Sequence, residues 1–160
     1  MYRLSIAAAA IGMTLSGSTT SRADPADLVG TWKFISYLRT DAQGQNVNVM
    51  GEHPEGYLIY TPEGRMMVIV VAENRKPPQT DEDRIELHKF MVAYSGRYTV
   101  DGGKVTHHVD VSWNQAWTGT SLVRSFKRMD DELVITTDPT KYGTDDVTQV
   151  STLTLQRVKN

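Results

Sequence analysis

The chain has 160 residues, 17 Lys plus Arg against 19 Asp plus Glu, and no cysteine. That length suits one domain, and the lack of thiols excludes disulfides, thiolate catalysis and zinc–thiolate sites. The slightly acidic balance leaves no basic stripe, so no nucleic-acid partner is expected.

Residues 1–23 have the features of an export signal peptide. Arg3 supplies a positive start, Leu4 to Leu15 is apolar and Ala-rich, and Ser21-Arg22-Ala23 is a small-x-small site before Asp24. The apolar run is shorter than the roughly 20 residues a membrane span needs, so no stable membrane anchor is expected. Cleavage removes Arg3 and Arg22 and leaves 15 basic against 19 acidic residues, a net charge of −4. Residues 24–160 are expected to form one periplasmic or secreted domain.

The first strand signal is Leu28-Val29-Gly30-Thr31-Trp32, followed by period-2 alternation over residues 29–39. Its pattern sets Trp32, Phe34, Ser36 and Leu38 against Thr31, Lys33, Ile35 and Tyr37. A Gly-x-Trp entry with an Arg near the chain end, here Arg157, suits a barrel whose floor is an indole under a guanidinium. A core Trp and an unrelated surface Arg in any β-rich domain is the plainer alternative. Gly44 marks the next turn. Residues 56–61 and 65–72 form a hairpin through Thr61-Pro62-Glu63-Gly64. Further strands are predicted at 95–100, 104–113, 118–127, 132–137 and 147–158, separated by turn residues that include Asp138-Pro139 through Gly143. Eight strands at this spacing fit a sandwich or an up-and-down barrel.

One helix is predicted, between strands three and four. Thr80 caps it, Asp81, Glu82 and Asp83 fill its first turn, and Leu87, Phe90, Met91 and Tyr94 form its apolar face. In a meander it either lies outside the barrel, plugs an open end or covers the mouth; a lid is the preferred placement.

Several stretches together resemble the lipocalin-like domain family of bacteria and fungi: Leu28 to Trp32, Gly56 to Gly64, Tyr94-Ser95-Gly96-Arg97-Tyr98, Val105-Thr106-His107-His108-Val109, Trp117-Thr118-Gly119 and Arg124. The resemblance covers nearly all of residues 24–160. It implies an all-β, eight-stranded antiparallel up-and-down barrel of the calycin type. It leaves function open, since barrels of this kind include both ligand carriers and enzymes, and a fold does not carry function by itself.

Facing follows from alternation. Val105, His107, Val109, Val111 and Trp113 share the apolar face expected to line the cavity, which turns His108, Asp110 and Ser112 outward. Leu122, Arg124 and Phe126 face inward, as does Tyr98, with Arg97 outside. A buried Arg and His need partners, so His107, Arg124 and Tyr98 are the catalytic candidates, with Arg124 gripping a carboxylate, enolate or phenolate oxygen. The alternative is that His107 is satisfied by the backbone or a Tyr hydroxyl and Arg124 packs on a ring. Trp113, Trp117, Tyr60, Ser36 and Phe126 are the candidate ligand lining. The Met residues, Met66, Met67 and Met91 among them, read mainly as core filling.

No metal site is expected, because adjacent His107 and His108 point oppositely and need His53 or His88 brought across. The row His108, Asp110, Ser112 lacks a nucleophile elbow, although inverted facing would make His108 and Asp110 the candidates. No cofactor is expected. The favoured function is binding of a small, mostly apolar molecule with one polar or anionic end. The alternative is a cofactor-free isomerase, cyclase or dehydratase using His107 beside Arg124.

Overall fold

Alternating apolar side chains wrap this chain around a single interior. The computed structural model describes residues 24–41, 43–141 and 148–159. The expected export leader and the far part of the expected Asp138–Gly143 turn lie outside the described residues. The strands are β1 (Gly30–Thr40), β2 (Asn46–Asn48), β3 (Glu55–Tyr60), β4 (Arg65–Val71), β5 (Met91–Asp101), β6 (Lys104–Ser112), β7 (Ser121–Met129), β8 (Glu132–Thr137), β9 (Thr140–Lys141) and β10 (Thr148–Arg157), with helix α1 (Asp81–Lys89) after β4. Eight of them, in the order β1-β3-β4-β5-β6-β7-β8-β10, close through the β1–β10 pairing into an antiparallel barrel. Short β2 and β9 extend β1 and β10.

The helix thus follows the fourth strand rather than the third, because Asn46–Asn48, too polar to read as a strand, pairs with the end of β1. Its start is as expected: Asp83 N–H donates to Thr80 Oγ1 at 3.2 Å and Thr80 N–H to Asp83 Oδ2 at 3.0 Å. Its end is not. Phe90 caps it, and Met91 and Tyr94, expected on its apolar face, pair with Val71 and Val68 in the β4–β5 ladder. No residue of α1 is buried.

Two bulges shift which residues point inward. In β1 the pairing with β10 slips between Phe34 and Ser36, so Ile35 is exposed and Tyr37 takes the interior side. In β6 the pairing passes from Val109 opposite Gly96 to Val111 opposite Ser95, with Asp110 as the extra residue. Val111, expected inside, is therefore 60% exposed. Gly96 permits this close approach, since a Cβ there would lie 1.9 Å from the His108 carbonyl oxygen.

The closed end is built around Trp32, which is fully buried opposite Arg157 in the β1–β10 register. The Arg157 guanidinium carbon sits 4.6 Å from the centre of the indole ring, and its Nη2 donates to Val29 O at 2.9 Å. Trp32 Nε1 donates to Leu28 O at 2.7 Å. The short 3-10 turn Pro25–Asp27 carries the buried Leu28 beneath the floor. Gly30 has φ of +138°, and a Cβ there would stand 2.8 Å from Arg157 Nη1. Only glycine lets the guanidinium reach the ring. Replacing Trp32 by Ala removes a fully buried aromatic side chain and its cation–π partner, so chemical denaturation is expected to show a loss of about 3–5 kcal/mol. A loss under about 1 kcal/mol would mean the barrel does not rest on this contact.

Candidate functional site

Successive strands of an up-and-down barrel put their connections alternately at its two ends. The tight turns 61–64, 102–103 and 130–131 gather at the Trp32 end, and the longer connections 41–54, 72–90 and 113–120 form the mouth at the other.

A column of rings joins the two ends. Tyr98 hydroxyl donates to Thr61 O at 3.0 Å near the floor, and its ring meets Tyr60 edge-on, with centroids 4.8 Å apart. Tyr60 hydroxyl lies 2.7 Å from His107 Nε2, and Tyr94 hydroxyl 2.8 Å from His107 Nδ1. The Tyr94 ring then stands edge-on to Trp117 at 5.7 Å, and Trp117 edge-on to Trp113 at 4.9 Å, where the column reaches the mouth.

His107 is 1% exposed. Burial, then the nearby Arg124 and His108, hold its pKa well below the ordinary 6.5, so the imidazole is neutral. A neutral imidazole has one N–H and one acceptor nitrogen. One tyrosine therefore accepts from it, the other donates to it, and both ring nitrogens are engaged. Burial, then the Tyr94 hydroxyl, push the Tyr60 phenol well above its usual range, against the pull of Arg124. The Tyr60 phenol thus hydrogen-bonds as a neutral group.

Arg124, 8% exposed, lines an inner cavity with Tyr94, Thr137, Phe34, Val68 and Val70. That cavity has about 20 Å³, room for roughly one water molecule. Tyr37, Val92 and Trp117 form its neck and also line a larger mouth pocket of about 360 Å³, completed by Arg39, Met50, His88, Lys89, Met91, Trp113 and Asn114. Among the described residues, the charged members of the mouth lining are Arg39 and Lys89, joined by the His88 imidazole, and none is a carboxylate. Lys89 also reaches Glu86 at 2.8 Å on the helix surface. Trp113 is fixed by its Nε1, which donates to His88 O at 3.3 Å, and Trp117 by the 3-10 turn that Asn114 caps. A groove of about 400 Å³ beside α1 is larger, but its charges are mixed (Glu73, Arg75, Lys76, Asp83, Glu86) and it opens outside the barrel.

The three catalytic candidates all point inward, yet they do not form one site. His107 is held between two tyrosines, Tyr98 bonds the floor, and only Arg124 borders the inner cavity. Of the expected lining, Trp113 and Trp117 stand at the mouth. Tyr60 lies beneath His107, and Phe126 packs on the core near the tight turn, its N–H donating to Gly103 O at 2.9 Å. Ser36 is turned off the interior by the β1 bulge and pairs with Thr154. The outer row is satisfied where it stands: His108 bonds Thr99 and Ser121 at 3.1 Å each, and Asp110 pairs with Arg65 at 2.6 Å. Tyr37, Arg39, Met50, His88 and Lys89 went unrecognised. The alternation of long and short connections marks the end they occupy, but only the bulge brings Tyr37 inside.

Residues 29–158 match the lipocalin-like domain family. The chain belongs to that family. Among solved structures, this lipocalin-like domain is similar to a lipocalin-like protein from Bacteroides uniformis, with 12% identity over 82% of this chain and 99% of that one and a TM-score of 0.47. An uncharacterized protein from Bacteroides eggerthii gives 11% identity over 81% and 98%, with a TM-score of 0.40. Neither likeness bears on function. No curated protein matches the chain.

The His107 clamp gives the lipocalin-like domain a pH signature. Its folded pKa lies below the ordinary 6.5, so below that pH the unfolded chain binds more protons than the folded one. Stability from this group is full above about pH 6.5 and declines as pH falls toward the folded value, by up to about 1.4 kcal/mol per pH unit. His107→Gln, which cannot titrate, is expected to be less stable at neutral pH but to lose less stability than the parent between about pH 7 and pH 5. Parallel pH profiles from urea denaturation would contradict the neutral buried imidazole.

Proposed function

We propose that the protein is an exported binding module that takes a small, mostly apolar molecule with one anionic end in the mouth of its barrel. The observation that carries this reading is the mouth lining: Tyr37, Trp113, Trp117 and Met50 offer apolar surface, and among the described residues the formal charges there are Arg39 and Lys89. Cations set beside aromatic surface in a barrel mouth attract an anion with an apolar body. The inner cavity admits about one water, so the apolar body rests in the mouth and the anionic end stays at the wetter rim with Arg39. Arg124, below the neck, adds its field from beneath. In this reading residues 1–23 are the leader and the ligand is met outside the cytoplasm. Binding is preferred to isomerase, cyclase or dehydratase chemistry because both nitrogens of His107 are committed to tyrosines, leaving none to exchange a proton with a bound molecule.

Native mass spectrometry of protein exported by its own host is expected to give a chain starting at Asp24 with a small organic acid attached. In titrations of Trp fluorescence, 2-naphthoate is expected to bind at least about tenfold more tightly than neutral 2-naphthamide, and Arg39→Met to abolish that preference. Equal affinity for the acid and the amide would contradict the proposal.

A further inference from the structure

The same mouth selects by shape as well as by charge. We infer that its ligand is a compact, flat aromatic acid, not a flexible chain such as a fatty acid. The inference rests on the binding reading above and sharpens it.

Two observations carry it. The first is depth. A long chain needs a channel running down the barrel axis, and here described side chains occupy that axis. Below the neck of Tyr37, Val92 and Trp117 there is about 20 Å³, and beneath that the Tyr60–His107–Tyr94 clamp closes the core. Opening it would separate a buried imidazole from both partners and leave buried polar groups unsatisfied. The mouth offers about 360 Å³, so a ligand there is short and broad.

The second is the form of the walls. The Trp113 and Trp117 rings meet at 87° with centroids 4.9 Å apart, making a right-angled corner of two flat faces. Trp117 is braced from below by Tyr94, and Trp113 is tied to the His88 carbonyl. A rigid aromatic body lays its face on one indole and its edge on the other, the two arrangements that ring quadrupoles favour. A flexible chain gains neither contact and loses rotational freedom on binding. Arg39, carried on β1 into the same lining, gives the acid group its cation.

The test is a comparison of 2-naphthoate with decanoate, acids of similar size, by isothermal titration calorimetry on the protein lacking residues 1–23. Naphthoate is expected to bind about tenfold or more tightly. Trp113→Leu, checked for folding by circular dichroism, is expected to cost naphthoate at least about fivefold while changing decanoate by less than about twofold. Decanoate binding as tightly as naphthoate, or an equal loss for both acids in Trp113→Leu, would overturn the shape selection and leave the binding reading standing. Failure of both acids to bind the parent protein would remove both.

Discussion

The interior is organised by one hydrogen-bonded group, the His107 imidazole held between Tyr60 and Tyr94. A neutral imidazole can be buried at little cost only if its donor and its acceptor are both met. Meeting them takes two large rings from β3 and β5, and these, with Tyr98 and the Trp32 floor, fill the lower barrel. The void that the fold could have kept as a deep cup is thereby spent on side chains. What remains for a ligand is the part above Tyr94, whose shape is set by Trp117 and Trp113 stacked on the same column.

The mouth owes its chemistry to the connections. Tight turns at the floor need little but Gly, Pro, Asn and Asp, and they hold the barrel shut. The long connections at the other end bring Met50, His88, Lys89, Asn114 and Trp117 together from segments far apart in sequence, on a rim steadied by the ladders below. Helix α1 serves this rim at its last turn, where His88 and Lys89 join the lining, while the rest of it stays in solvent. It is a rim post rather than the expected lid.

Much of this was legible in the sequence, and the failures have a common cause. Trp32 and Arg157, the order of the barrel strands, His107 inside with His108 outside, and inward Arg124 all follow from alternation at fixed period. Alternation fails wherever an extra residue enters a strand. Ile35 and Asp110 carry no local mark of being bulged, since a bulge is chosen by the register with the neighbouring strand. After Ile35 every parity in β1 is reversed, which hid Tyr37 and wrongly placed Ser36 inside. Gly96, opposite the second bulge, is the one hint that the backbones approach closely there. Tyr94 was missed for another reason: Leu87, Phe90, Met91 and Tyr94 satisfy helical spacing as well as they satisfy the end of a helix and the start of a strand. That His107 takes both of its partners from tyrosines depends on which rings the closed barrel stacks in one column, and no local pattern carries it.

The claim on which the account turns is that a ligand stops at the mouth because the barrel below is filled. Two-dimensional NMR of the labelled protein titrated with 2-naphthoate tests it most directly. The account predicts shifts at Arg39, Met50, Trp113 and Trp117, with Trp32, Val105, Leu133 and the His107 ring unmoved. Large shifts at Val105, Leu133 and His107 would show that the ligand enters the lower barrel, and would contradict it.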